Sequence, residues 1–304
     1  MKILITGING FVGSYLREHL LQQKQKVFGT SRSYSDKFVF NTDLMDKQNL
    51  KEIIISLKPD IIFHLAAQSS VKKSWEDKYK TFQTNFFATL TLLETIKELE
   101  LSTRVVTIGS AEEYGITNGS PVTEDSFMNP INPYGLSKMA VGYLVKQFFS
   151  AYQLNVVHIR AFPHIGPGQN STFVTQDFSK QIALIERGEQ EARINVGNID
   201  VIRDFTDVRD VVKAYWIVAM NGRAGEIYNV SSGEGISLKD ILKILVGYSK
   251  KSITVNVDPQ KFRPADIPIL IGSNHKLKAL GWEKEIPIEK TLLDILDQYR
   301  SKLE

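Results

Sequence analysis

The first thirteen residues restrict the fold more than any other stretch. Lys2-Ile-Leu-Ile-Thr6 is a short apolar run of the kind that forms a strand buried on both faces. Gly7-Ile-Asn-Gly10-Phe-Val-Gly13 follows at once, and an amphipathic pattern then runs to about Gln22. Strand, glycine turn and helix in direct succession predict a unit that binds a dinucleotide. Gly7, Gly10 and Gly13 permit a tight turn and a close approach of backbone to a pyrophosphate, which sits at the positive end of the helix. Asn9, Phe11 and Val12 share that turn and are expected at the cofactor with the glycines. The spacing is GxxGxxG rather than GxGxxG.

The next segments extend the same pattern. Lys26-Val-Phe-Gly29 predicts a second strand, and it leads into Thr30-Ser31-Arg32-Ser33. A strand that serves NAD usually ends in Asp or Glu, which takes the ribose hydroxyls. Here the cation and hydroxyls of Arg32 and its neighbouring serines suit a 2′-phosphate, so NADPH/NADP is expected to bind better than NADH. Phe38-Val-Phe40 predicts a third strand ending near Asp43-Leu44, with Asp43 set to accept from the adenine amine. Lys47 to Leu57 has helical periodicity. Asp60 to Gln68 reads as a central strand whose small carboxyl end, Leu65-Ala66-Ala67, lets a cofactor approach, with Gln68 toward the substrate. His64 within it reads as a core histidine. From Thr81 to about Glu100 a helix carries Phe82, Phe86, Phe87, Leu90, Leu93 and Leu99 on more than one face, which suits packing on the sheet and on a second subunit.

Composition narrows the function class. A hydrophobic share of 42% and a charged share of 23% are ordinary for a globular protein in water. The net charge of +3 is too small to point to nucleic acid. With no cysteine there is no disulfide framework, thiolate nucleophile or thiolate metal site, and the five histidines lack ligand spacing, so no metal is expected. No apolar run reaches membrane-spanning length, and the N-terminus shows no signal-peptide pattern, so a cytoplasmic location is expected.

Arg104-Val-Val-Thr-Ile-Gly109 predicts a fifth strand that delivers Ser110 at its carboxyl end. Ala111-Glu112-Glu113-Tyr114-Gly115 and a polar loop follow, and Asn132-Pro133-Tyr134 opens a helix. Tyr134 is the only one of 11 tyrosines with a lysine, Lys138, four residues on. On a helix the two share a face. An ammonium held beside a phenol favours the phenolate, so Lys138 is expected to lower the pKa of Tyr134 toward neutrality. Tyr134 then exchanges a proton with an alcohol or carbonyl oxygen that Ser110 orients.

This order of glycine turn, strand, serine, loop and Tyr-x-x-x-Lys helix resembles the extended short-chain dehydrogenases/reductases that act on nucleotide sugars. The resemblance runs nearly end to end. It implies a Rossmann-like, doubly wound parallel α/β fold, with residues 1–160 mainly binding NADP and 161–304 mainly binding the nucleotide sugar, and crossovers between them. It also implies a Ser110–Tyr134–Lys138 triad, with Tyr134 and Lys138 touching the cofactor, and a homodimer built through a four-helix bundle. Dehydrogenase-like proteins that merely bind NADP as sensors or scaffolds usually lose the tyrosine or the lysine, and this chain keeps both.

Asn155 to Arg160 predicts a sixth strand, followed by Ala161-Phe-Pro-His-Ile-Gly-Pro-Gly-Gln169. Relatives usually carry Asn where this chain has Pro163, which has neither the amide side chain nor a backbone donor. His164 matches a position beside the nicotinamide. Phe173 to Arg187 predicts a helix over the substrate cleft, bearing Lys180. A diphosphate needs cations in place of its lost hydration, and Lys180, Arg203 and Arg263 are the candidates. Val-Gly-Asn198, Arg203-Asp-Phe-Thr-Asp-Val and Arg263-Pro-Ala-Asp266 most resemble enzymes of GDP-mannose-derived sugars. That places Asn198 and Asp266 on the nucleotide. Two activities fit the group: 4,6-dehydration of GDP-mannose, and NADPH-dependent reduction of the 4-keto sugar GDP-4-dehydro-6-deoxy-D-mannose to GDP-D-rhamnose. Glu112 stands where dehydratases keep an acid/base, and in either case it is expected beside the sugar. Reduction is the expectation, because the connection from Arg32 to Asp43 is short and Glu-Glu-Tyr-Gly115 resembles the reductases. The guanine base and the face of hydride attack, which decides between rhamnose and 6-deoxy-talose, stay open.

Overall fold

The structure, a computed structural model, describes residues 1–262 and 267–302. Seven strands form its main sheet: β1 (Lys2–Thr6), β2 (Lys26–Ser31), β3 (Val39–Asn41), β4 (Ile61–His64), β5 (Arg104–Ile108), β6 (Val156–Ala161) and β7 (Ile227–Val230). Their order is β7-β6-β5-β4-β1-β2-β3, and every pairing is parallel. Chain order reverses at β1, which lies between β2 and β4, so a crevice opens beyond the carboxyl ends of these strands.

Alternation along each strand sends side chains to two separate cores. Ile3, Ile5, Phe63, Val106 and Val157 face the helices Phe11–Gln22 and Val208–Asn221. Leu4, Ile62, Val105 and Val156 face the helices Lys47–Leu57, Ala88–Glu98 and Pro133–Tyr152. A third core lies in the second half, where Phe178, Ile182, Leu242, Leu245, Leu292 and Ile295 join three helices, Val174–Arg187, Leu238–Gly247 and Ile288–Lys302. The second half also returns β7 to the main sheet beside β6. Among the described residues no helix is long and apolar enough to cross a membrane.

One expected element differs. The helix anticipated from Thr81 to Glu100 is α-helical over Lys78–Phe82 and Ala88–Glu98, with a π-helical turn at Gln83–Phe87 between them. The turn lets Asn85, only 2% exposed, point inward at the level where β4 ends. There its side chain accepts from Gln68 N (2.8 Å) and donates to Gln68 O (3.1 Å) and to Ser137 Oγ (2.9 Å). Three hydrogen bonds of a buried amide outweigh the poorer backbone geometry of the turn.

The glycine turn is set by close packing. Gly7 has φ 73°, a left-handed conformation that disfavours a side chain. At Gly13 a Cβ would stand 2.7 Å from the carbonyl oxygen of Ile8 and still closer to that of Gly7. Gly13 therefore packs the first helix on the turn. Gly13→Ala is expected to destabilise the fold by about 1–3 kcal/mol, because the obstructing atoms are backbone. A urea denaturation curve checks this, and an unchanged midpoint would refute the packing role.

Candidate active site

Ser110, Tyr134 and Lys138 meet where β5 ends. Ser110 follows the strand directly and starts a 3₁₀ turn, Ala111–Glu113. Its Oγ accepts from Glu112 N (3.2 Å), and it hydrogen-bonds the Tyr134 phenol. Asn132 caps the helix Pro133–Tyr152 by accepting from Gly135 N at 2.8 Å. Pro133 occupies the first turn, where its missing N–H costs nothing. Tyr134 thus sits in the capped first turn of its helix. Lys138 lies one turn along and is 5% exposed. Its Nζ donates to the Ile108 carbonyl at 2.7 Å and stands 6.0 Å from the centre of the Tyr134 ring.

This geometry reverses one expectation. The pKa of Tyr134 is raised, not lowered. Burial is the main cause, and the charges of Glu112 and Glu113 push the same way, while the Ser110 hydrogen bond opposes them. The Lys138 ammonium is turned onto a carbonyl instead of the phenol oxygen, and it pays for its own burial with a pKa lowered to about 8. Tyr134 consequently keeps its proton at neutral pH.

Glu112 sits beside this group. Asn132 Nδ2 donates to its Oε2 at 2.7 Å, so the residue that caps the tyrosine helix also fixes the acid. The sequence places Asn132 at the helix start but does not show its bond to Glu112, a contact across 20 residues. Asn85 was missed, because it lies inside an otherwise apolar helix. His64 is a core residue, bonded to Thr6 Oγ1 (2.9 Å) and Thr89 Oγ1 (3.0 Å), and burial lowers its pKa to about 3.

A cavity of about 280 Å³ opens along the carboxyl ends of β1, β2 and β4. Gly7, Asn9, Gly10, Arg32, Asp43 and Leu44 line it, as do Leu65, Ala66 and Ala67. A Cβ on Gly7 would stand 3.0 Å from Ala66 Cα, so bare backbone from the turn meets the small residues of the neighbouring strand. Thr42, Lys80 and Gln83 also line the cavity. Lys80 is a second cation lining the cavity that the sequence pattern did not reveal, since it comes from a distant helix. Phe11, Val12 and Gly13 lie behind the turn in the first helix. Phe11 stacks on His164, with ring centres 6.3 Å apart and planes 5° apart. His164 Nδ1 bonds the Phe162 carbonyl at 2.9 Å, and burial lowers its pKa. The glycine turn and the nicotinamide-side candidate are therefore in contact.

The substrate-side candidates are more dispersed. Gln68 commits its side-chain amide to neighbours, donating to Ser70 O (3.0 Å) in its loop and to Thr81 Oγ1 (3.1 Å) in the helix Lys78–Phe82. Pro163 offers its carbonyl to Thr206 N at 3.0 Å. Arg203 is 7% exposed in the short strand Ile202–Arg203, and its Nη1 donates to Ile202 O at 2.9 Å. Asn198 accepts from Asp200 N at 3.1 Å, and Lys180 is exposed on its helix. Arg263 and Asp266 lie outside the described residues. The carboxylates of the Arg203–Asp210 motif are structural. Asp204 accepts from Ser232 N (2.7 Å) and Gly272 N (3.1 Å), Asp207 from Thr291 Oγ1 (2.6 Å), and Asp210 from Ile286 N (2.8 Å). A larger open polar cleft, about 490 Å³ and lined by Gln181, Asn195 and Lys261, holds none of the catalytic candidates.

Residues 4–295 match the family described as GDP-mannose 4,6 dehydratase. The chain belongs to that family. GDP-6-deoxy-D-mannose reductase of Pseudomonas aeruginosa is 33% identical over 99% of this chain and 98% of its own length. GDP-mannose 4,6-dehydratase of Vibrio cholerae is 29% identical over 97% and 92%. Among solved structures, RMD from Pseudomonas aeruginosa complexed with NADPH has a TM-score of 0.89 at 33% identity, covering 99% of each chain. UDP-glucose 4-epimerase of Thermotoga maritima with UDP-glucose has a TM-score of 0.88 at 26% identity, covering 100% of each. The Rossmann-like parallel fold expected from the glycine turn is thus shared by the family and its structural neighbours.

Proposed function

We propose that this protein reduces the C4 keto group of GDP-4-dehydro-6-deoxy-D-mannose with NADPH, giving GDP-D-rhamnose. Length carries the choice within the family. The chain has 304 residues, and its alignment with the reductase takes 307 positions, whereas that with the Vibrio cholerae dehydratase spreads over 345. The short link between β2 and β3, residues 32–38, fits the same reading. Dehydration of GDP-mannose is the second reading, and Glu112, fixed by Asn132 beside Tyr134, is the observation that favours it.

The cavity suits NADPH. Gly7, Gly10 and Ala66 offer backbone to a pyrophosphate without side-chain obstruction, and Arg32, Ser31, Ser33 and Lys80 offer a polar rim for a 2′-phosphate. Asp43 and Leu44 lie toward the adenine, and Leu65, Ala66 and Ala67 along the dinucleotide. The cofactor, when bound, supplies the hydride. The protein's own residues handle the proton and the substrate oxygen. Ser110 orients the carbonyl oxygen at C4, and Tyr134, kept protonated by burial, donates to it as the alkoxide forms. Lys138 stabilises the tyrosinate left behind. His164 shields the nicotinamide side. Residues 1–160 are assigned mainly to the cofactor and 161–304 mainly to the nucleotide sugar, with Lys180, Asn198 and Arg203, together with Arg263 and Asp266, on the GDP. A second copy of the chain packs on the helices around 78–98 and 133–152, where Phe87, Leu136, Tyr143 and Tyr152 are 44–56% exposed. Light scattering at the mass of a dimer is expected, and a monomer at micromolar concentration would reject this surface.

The deciding assay follows NADPH absorbance with the 4-keto sugar, beside GDP-mannose without added reductant. Stoichiometric NADPH loss in the first and no change in the second is expected. A keto sugar formed from GDP-mannose, with no net NADPH use in the first, would establish the dehydratase. In the active assay Tyr134→Phe is expected to lower kcat about 10²–10⁴-fold while nucleotide binding survives. Unchanged turnover would remove the acid role. Arg32→Ala is expected to weaken NADPH about 10–100-fold, as for a lost hydrogen bond to a charged group, and to leave NADH nearly unaffected. Calorimetric titration with both cofactors reads this, and equal weakening would show that Arg32 does not contact the phosphate.

A further inference from the structure

Three residues after Ser110 the chain buries an acid that the reaction above does not use. Glu113 is fully buried. Its Oε1 accepts the Ser110 backbone N–H at 2.8 Å and lies 3.4 Å from His158 Nε2, and its Oε2 accepts from Arg160 Nε at 2.9 Å. Two glycines clear its place. A Cβ at Gly109 would run into Glu113 Oε1 and His158 Nε2. One at Gly142 would stand 3.3 Å from His158 Nε2 and 3.5 Å from Glu113 Oε2. Gly142 is one turn beyond Lys138 on the same helix. The carboxylate is therefore wedged between the strand end that presents Ser110 and the helix that presents Tyr134 and Lys138.

A core ion pair with Arg160 would account for the burial alone, but not for this position. A hydrophobic pair of similar volume would fill the space at no greater cost. What a carboxylate adds is a fixed negative charge within the field of Lys138, and a backbone anchor for Ser110. We propose that Glu113 is a positioning residue for catalysis: it fixes the Ser110 backbone, and its charge keeps Lys138 an ammonium. The proposal rests on the roles assigned above to Ser110, Tyr134 and Lys138.

The groups facing Lys138 come from every element around it. Its own helix supplies Tyr134, β5 the Ile108 carbonyl, β4 His64 and β6 His158. Burial lowers the pKa of both histidines, so both are neutral at pH 7. Arg160 stands on the far carboxylate oxygen of Glu113. Glu113 is thus the negative charge that opposes the desolvation of Lys138. Because that desolvation lowers the pKa of Lys138 to about 8, the ammonium lies close to losing its proton at cellular pH. Without the carboxylate the proton leaves at lower pH, and the alkaline limb of the rate profile follows it.

The test begins with the unmodified protein, carrying ¹³C-lysine and ¹³C-glutamate and followed by NMR against pH. The Glu113 carboxyl resonance is expected to shift with the same midpoint as Lys138. Glu113→Gln is then expected to move the Lys138 midpoint down by about one pH unit, the usual size for loss of a close opposite charge. The alkaline limb of kcat is expected to move by the same amount. A Glu113 resonance blind to the Lys138 titration would overturn the proposal, even where Glu113→Gln does not fold. So would a folded variant whose Lys138 midpoint stays in place. The NMR readings do not depend on the sugar or on turnover, so they fail separately from the reductase assignment.

Discussion

A buried ammonium must give its protons to something, and in this protein the Ile108 carbonyl takes one. That hydrogen bond, 2.7 Å from Lys138 Nζ, joins the last residue of β5 to the second turn of the tyrosine helix. Bonds to charged groups contribute about 1.5–3 kcal/mol, roughly twice a neutral pair. This one ties the tyrosine helix to the strand end that leads into Ser110. Asn132 caps the same helix and fixes Glu112, and Asn85 reaches Ser137 from the π turn. The site is thus a junction of strand end, helix start and a neighbouring helix, each tied by polar bonds in an apolar setting.

Much of this was legible in the sequence because it depends on local chemistry. The run Lys2–Thr6 and the glycines behind it dictate strand, turn and helix from short-range sterics. The boundaries of the helix Lys47–Leu57 follow from Asp46, which accepts from Asn49 N at its start, and from Pro59 just beyond its end. Ser110, Tyr134 and Lys138 were identifiable because their order along the chain is rare. What escaped depends on tertiary contacts. The π turn arises from Asn85 finding Gln68 and Ser137, partners 17 and 52 residues away. The raised pKa of Tyr134 reflects burial and the direction in which Lys138 points, and neither is a property of a five-residue motif. Lys80 reaches the cavity from a helix outside the glycine unit.

The Arg203–Asp210 stretch shows how one motif serves two purposes. Its three aspartates take backbone or hydroxyl donors from residues 232, 272, 291 and 286, and so hold several distant segments of the second half together. Of this charge-rich stretch the sequence pattern points only Arg203 to the ligand. Burial shows that most of the charge is spent on architecture, with Arg203 the member assigned to the substrate.

The position of β7 has a consequence for how the chain is made. β6 is buried along its whole length, and its outer edge is covered by Ile227–Val230 from the second half. Until residue 230 leaves the ribosome, a hydrophobic sheet edge stands open, and open edges pair with other chains. Residues 1–160 are therefore incomplete by themselves, with one edge of their sheet uncovered. Truncation near residue 160 would leave an aggregation-prone fragment, and the two halves must mature together through a contact that spans some 70 residues of chain.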